Sequence, residues 1–311
     1  MSDEEHVNQL RVRAVRGEAL AQHALASIYE NGSYGVNQDL AKAFKWYRSA
    51  AEQDFSPAFF ELSCCYAMGR GVEESEELFT CYCRKAAEAG YAEAEYMMGE
   101  LYYNGYGQRQ ESFEWYEKAA KNEHMDAQYK LGVIYLHGDF VVQDFKSAAQ
   151  WLRMAAIQGK PEAQYNLAMM HEKGDGVLRD YKKAAKWYRM AADQGDRDAQ
   201  NNLGALFEYG NGVEKNYGEA LRWYQQAAEQ EDSLSCNNIG RFHENGLGVE
   251  RNLDSAERWY RKAAMLGHRG AKERMDSLIQ AKSKGWNENE SENDHELEID
   301  KLFGSSCVSG S

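Results

Sequence analysis

The chain has 311 residues, 43% of them hydrophobic and only two of them proline, with 36 basic against 50 acidic side chains and a formal net charge of −14. Those proportions are enough for an extended core, and so little proline beside so much Ala, Glu, Tyr and Trp points to an all-helical protein. The acidic balance speaks against nucleic acid, whose phosphates need a Lys/Arg footprint, and against anionic membrane surfaces.

Residues 1–17 form a charged leader with a short helix expected around Val7 to Arg16, suited to cap a stack of repeats with a polar outer face. From residue 18 one pattern recurs. It is clearest at Trp187 to Gly204, WYRMAADQGDRDAQNNLG. Its Trp position reads Trp46, Tyr82, Trp115, Trp151, Trp187, Trp223, Trp259, stepping by 36, 33, 36, 36, 36 and 36 residues. A double alanine follows four residues later each time, and a Leu position (Leu25, Leu62, Met98, Leu131, Leu167, Leu203, Ile239, Met275) is set 16 residues beyond each Trp position. A fixed period in this range marks stacked supersecondary units. The boundaries read 18–54, 55–90, 91–123, 124–159, 160–195, 196–231 and 232–267, with a capping helix at 268–280.

In one unit, Ala127, Leu131, Gly132 and Tyr135 share a face of an amphipathic helix A that ends near Gly138. Helix B follows around Asp144 to Gln158, with Ala148, Trp151, Leu152, Ala155 and Ala156 on one face. Small residues allow close approach, and the Trp supplies a large contact to the neighbouring unit. A glycine closes helix B in four units: Gly90, Gly159, Gly195 and Gly267. Neither helix can bury its face alone, so stability comes from stacking. Length changes fall between the helices, an extra residue at Asn31 to Val36 and three fewer at Asn104 to Gln110.

The stretch Ala163 to Gly195 resembles a Sel1-like repeat. That family is related to tetratricopeptide repeats, with a longer inter-helix turn carrying Gly-x-Gly-Val. The signature stands at Gly69–Val72, Gly174–Val177, Gly210–Val213 and Gly246–Val249, and repeats three and four depart from it. The resemblance covers residues 18–280 and implies an all-α, right-handed α-solenoid of stacked antiparallel helix pairs, about seven repeats plus the capping helix.

Residues 281–311 read as an acidic, disordered tail, in which seven acids from Glu288 to Asp300 face Lys301. Within it, Leu297, Ile299, Leu302 and Phe303 punctuate the acids of His295 to Phe303, a segment suited to fold on a partner or dock back into the chain. The glutamate-rich stretch also resembles secretion signals of effectors from some intracellular bacteria. Cys307 is misplaced for prenylation. No apolar run has the length of a membrane span, and the first residues lack a signal-peptide stretch, so a cytoplasmic location is expected, with export by a signal-peptide-independent route left open.

Four of six cysteines cluster in repeat two. By register, Cys65 and Cys83 align with packed apolar or Tyr positions, Cys81 with solvent-facing ones, and Cys64 with the groove side. Thiols pointing four ways cannot form one tetrahedral site, so no metal and no cofactor are expected. A cysteine-rich branch of the family joins its two helices by disulfides and is linked to β-lactam binding or hydrolysis. That pairing is missing here, and so is the Ser-x-x-Lys of serine β-lactamases. His-Glu at His171, His243 and His295 lacks the second His of a zincin.

The best functional candidate is the groove lined by helix A. Tetratricopeptide geometry implies that positions around the Leu position face inward. These include Phe60, Tyr96, Tyr103, Tyr129, His137, Tyr165, Met169, Asn201, Tyr209, Asn237 and Arg241. Phe60, Tyr96, Tyr129 and Tyr165 would make an aromatic ladder at repeat spacing, and Tyr, Met and Arg are typical binding anchors. Asn201 and Asn237 are suited to hydrogen-bond a peptide backbone. The expected function is a non-catalytic scaffold or adaptor, a monomer that holds a protein or peptide partner without nucleic-acid binding or membrane insertion. The competing expectations are a β-lactam-binding or hydrolysing enzyme, and an exported effector or regulatory adaptor of a signalling or envelope enzyme.

Overall fold

The computed structural model describes residues 3–105 and 107–283, so the expectations for His295 to Phe303, Cys307 and the rest of the acidic tail lie outside the described residues. Among the described residues every regular element is helical. The chain divides into two units, residues 1–214 and 215–311.

The first unit opens with α1 (Asp3–Val15), whose Val7, Leu10 and Ala14 are buried against Leu25 and Ile28 of α2 (Ala19–Asn31). Then follow α3 (Leu40–Ala51), α4 (Ser56–Met68), α5 (Glu76–Glu88), α6 (Ala92–Glu100), α7 (Arg109–Lys121), α8 (Met125–His137), α9 (Phe145–Ile157), α10 (Pro161–Lys173), α11 (Tyr181–Asp193) and α12 (Arg197–Tyr209). Within this unit each helix packs on its neighbours in sequence, the arrangement of an α-solenoid. In the second unit, α13 (Tyr217–Glu229), α14 (Ser233–Asn245), α15 (Leu253–Met265) and α16 (Arg269–Ser283) pack in the same serial way.

The caps explain why the helices start and stop where they do. Each B helix from α9 on begins after an Asp or Asn whose side chain accepts from first-turn amides: Asp144, Asp180, Asn216 and Asn252. A helices end at a left-handed glycine, as at Gly138, Gly174 and Gly246. After helix B the left-handed position falls to Gly90, Gly159, Gly195 and Gly267, as read from the sequence. The other three B helices use Asp54, Glu123 and Glu231, at φ of 57°, 65° and 61°.

The Gly-x-Gly-Val turn is a contact between repeats. A Cβ on Gly176 would stand 2.3 Å from the Phe145 carbonyl at the start of the preceding B helix, and one on Gly71 would stand 2.1 Å from the Leu40 oxygen. Only glycine allows that approach at this positive φ. In repeat four the same place holds Phe140 at φ 52°, its ring reaching over the Arg109 guanidinium at 5.9 Å and beside Phe113 at 6.4 Å. In repeat three the three-residue deletion is absorbed by a π-helical turn, Leu101–Gly105, continuing α6.

Within a pair, the ring at the buried Tyr position lies on a residue too small to interfere. A Cβ on Gly99 would stand 2.5 Å from the Tyr116 ring, and one on Gly240 would stand 2.6 Å from Tyr260. The buried hydroxyl then donates to a glutamate of helix A: Tyr47 to Glu30, Tyr116 to Glu100 and Tyr188 to Glu172, each at 2.7 Å, and Tyr260 to Glu244. Where helix B carries Cys83 or Leu152 instead, the register-equivalent residue of helix A is Ala67 or Leu136. Hydroxyl and acceptor come and go together, as expected when an unpaired buried polar group costs more than an apolar replacement.

Buried glutamines tie successive pairs. Gln164 donates to the Ala156 carbonyl at the end of α9 (3.0 Å) and accepts from Gln194 at the end of α11 (2.8 Å). Gln128 makes the same link with Ala120 and Gln158.

Candidate functional site

The position two before Leu sits at the joint between consecutive A helices. In the first unit four of these side chains lie against the residue that precedes the next A helix. His23 meets Phe55 at 5.4 Å, Phe60 meets Tyr91 at 5.3 Å, and Tyr96 stacks on His124 at 4.5 Å with the planes 15° apart. Lys160 holds its ammonium 5.6 Å from the Tyr129 ring. The four rungs Phe60, Tyr96, Tyr129 and Tyr165 are all half-buried, and Tyr91, His124 and Lys160 interleave between them. These interleaving residues were missed by the sequence reading. They recur seven residues before the Leu position, a register outside the positions taken from tetratricopeptide geometry.

The hydroxyl ends of this face lie near polar side chains. Tyr96 faces Glu100, Tyr129 faces Asn166, and Tyr165 faces Asn202. Burial raises all three phenol pKa values, with nearby carboxylates adding to the rise, so the rings act as neutral surfaces with one polar tip. Lys130 pairs with Glu100 at 3.1 Å and stands 5.8 Å from the Tyr103 ring, and Lys160 pairs with Asp126 at 2.8 Å.

The remaining candidates are more scattered. Tyr103 lies in the π-helical turn, half-buried, 6.4 Å from Phe140 and 5.7 Å from the Arg109 guanidinium. Met169 and Asn201 are half-buried, and the Asn201 amide donates to Asn202 at 3.3 Å. His137 and Tyr209 are exposed at the last turns of α8 and α12. In the second unit, Arg241 lies half-buried with its guanidinium 5.6 Å from the Phe242 ring, while Asn237 is buried with its side-chain oxygen lacking a hydrogen-bond partner among the described residues.

The thiols follow their registers. Cys65 and Cys83 are buried, Cys64 is half-buried and Cys81 is exposed, all of them free. Burial pushes the Cys65 and Cys83 thiols up to about 12, so they remain protonated and pack as small core residues. No helix among the described residues is long and apolar enough to cross a membrane.

The family model for the Sel1 repeat matches residues 19–55, 56–91, 92–124, 126–160, 161–196, 197–232 and 233–268. The chain belongs to the Sel1 repeat family. Two solved structures share the fold over most of its length. One is a protective antigen of uropathogenic Escherichia coli displaying an SLR fold, with 32% identity and a TM-score of 0.78 over 90% of this chain and 60% of that one. The other is a Sel1 repeat protein from Oxalobacter formigenes, with 30% identity and a TM-score of 0.60 over 88% of this chain and 80% of that one. Among curated proteins, a chitin synthase regulator of Saccharomyces cerevisiae is 32% identical over 127 residues, 39% of this chain and 18% of its own length. Chitin synthase regulatory factor 3 of Schizosaccharomyces pombe is 35% identical over 113 residues, 35% of this chain and 12% of its own length. The matched part is therefore less than a fifth of either regulator.

Proposed function

We propose that this Sel1 repeat chain is a non-catalytic adaptor that holds a segment of a protein partner along the helix-A face. The observation that carries the reading is the recurrence of a half-buried aromatic ring at one position of successive A helices, Phe60, Tyr96, Tyr129 and Tyr165, each fixed by its neighbours before any partner arrives. Rings already held in place lose little conformational freedom on binding, which favours affinity. His137 and Tyr209 flank this face as exposed side chains, and the half-buried Asn201 offers an amide group for a partner's backbone. The similarity to proteins named as regulators of chitin synthase supports a role in regulating an enzyme by binding, without chemistry in this chain.

The test compares partner capture by the intact chain, by Tyr96→Ala/Tyr129→Ala/Tyr165→Ala, and by His137→Glu/Tyr209→Glu, with circular dichroism confirming that all three are folded. The second pair alters exposed residues and leaves the joints intact. A partner held by the intact chain and lost by both variants supports the helix-A face. A partner held equally by all three overturns the assignment.

A further inference from the structure

Two joints between repeats are closed by the same aromatic pair. Phe44 of α3 meets Tyr66 of α4 edge-on at 5.6 Å, and Phe113 of α7 meets Tyr135 of α8 edge-on at 5.8 Å. At the next joint the register places Ala149 of α9 and His171 of α10. The aromatic volume is gone, and a cavity of about 430 Å³ opens among α9, α10 and α11. That size falls in the range of small-molecule sites, roughly 300–1,000 Å³.

The lining is divided between apolar and cationic groups. Leu167, Val177 and the Trp187 indole form an apolar wall, while Lys146 and Arg153 of α9 and Lys183 and Lys186 of α11 supply four cations. Among the described residues no carboxylate lines the cavity. Asp180, the cap of α11, pairs with Lys183 at 3.4 Å, and among the described residues no acid pairs with Lys146, Arg153 or Lys186. His171 lies in the lining with Nδ1 3.4 Å from the Leu178 carbonyl. Burial pulls its imidazole below the usual value, and Lys183 and Arg153 act in the same direction, so their fields converge on the same ring. One joint earlier, the residues corresponding to Lys146, Arg153, Lys183 and Lys186 are Gln110, Glu117, Ser147 and Gln150. In a chain of net charge −14, four cations line this one opening.

We propose that this cavity binds a phosphoryl group carried on an apolar body that lies against Trp187. A dianion offsets the mutual repulsion of the four cations better than a single carboxylate, and a guanidinium holds its oxygens in a bidentate fork. The volume left beyond the phosphate, bounded by Leu167, Val177 and Trp187, takes the apolar body. The same chemistry is presented by a phosphorylated aromatic side chain of a partner and by a free phosphorylated small molecule. None of the four rings of the helix-A face lines this cavity.

Calorimetry on the full chain at low salt tests the proposal, using phenyl phosphate, inorganic phosphate and a short phosphotyrosyl peptide. Phenyl phosphate should bind about tenfold more tightly than inorganic phosphate. Arg153→Glu removes a cation, and His171→Tyr restores the ring that closes the equivalent joints while leaving every lysine in place. With both variants shown to be folded by circular dichroism, each should weaken phenyl phosphate binding at least about tenfold. A peptide that binds more tightly than phenyl phosphate assigns the site to a modified partner, and equal affinity assigns it to a small molecule. Absence of binding at millimolar phenyl phosphate, affinity undiminished in both variants, or inorganic phosphate binding as tightly as phenyl phosphate overturns the proposal.

Discussion

Repeats four and five, the pairs α8/α9 and α10/α11, have helices of the same length and spacing but solve three local problems differently. At the inter-helix turn, repeat five uses Gly176 to let backbone touch backbone, while repeat four uses Phe140 to reach the preceding B helix with a ring. Inside the pair, repeat five buries a Tyr188–Glu172 hydrogen bond, and repeat four buries Leu152 with Leu136 packed on the same cluster. At the joint to the preceding repeat, four is closed by Tyr135 and Phe113, whereas five leaves a cavity beside His171 and Ala149. The helix geometry is maintained because residues in contact change as sets. A single member moved from one repeat to the other should therefore fail.

The largest effect is expected at the turn. Gly176→Ala adds a Cβ 2.3 Å from the Phe145 carbonyl at φ 66° and should cost about 3 kcal/mol, measured by urea unfolding. Gly35→Ala, at φ 71° with no heavy atom within 4 Å of the new Cβ, should cost about 1 kcal/mol. Equal costs would mean that the close approach is not what selects glycine.

A smaller effect is expected from the buried pair. Glu172→Leu takes the acceptor from the Tyr188 O–H, leaving the hydroxyl only the Asn202 amide that donates to it at 3.2 Å, and should cost about 2 kcal/mol. Adding Tyr188→Leu, which copies the pair of repeat four, should recover part of that loss, a coupling visible in a double-mutant cycle. Additive losses would show that hydroxyl and carboxylate do not act as a unit.

The smallest effect separates the helix caps by pH. Hydrogen bonds from the side chain and backbone amide of Ser147 hold Asp144 below its usual pKa, and the backbone amide of Lys183 does the same for Asp180. Their stabilisation is present above the unfolded carboxylate value, about 3.9, and is lost as pH falls through the lower folded value. Asp196, which caps a helix A, is shifted upward by burial, so its protonation as pH falls relieves a cost. Asp180→Asn should therefore lose less stability than the parent between pH 6 and pH 3, and Asp196→Asn should lose more, in urea midpoints measured at both pH values. The opposite order would contradict the cap assignments.

The register of Trp, double Ala and Leu positions, the helix ends at glycine and the burial of Cys65 and Cys83 were all legible in the sequence. Each rests on contacts that recur at a fixed separation along the chain, so the pattern is written locally and repeated. The Tyr–Glu bond is recoverable too, once Tyr47, Cys83 and Leu152 are read beside Glu30, Ala67 and Leu136.

What only the tertiary structure decided lies between repeats. No single-repeat pattern states that the second glycine of the signature rests on the preceding B helix, that His124 stacks on Tyr96 from 28 residues away, or that Phe140 takes a left-handed conformation. The cavity beside His171 follows from two ordinary-looking residues, Ala149 and His171, that are both smaller than the pair they replace. Close packing is a property of side chains that meet in space, and a void appears only when all the neighbours are in place.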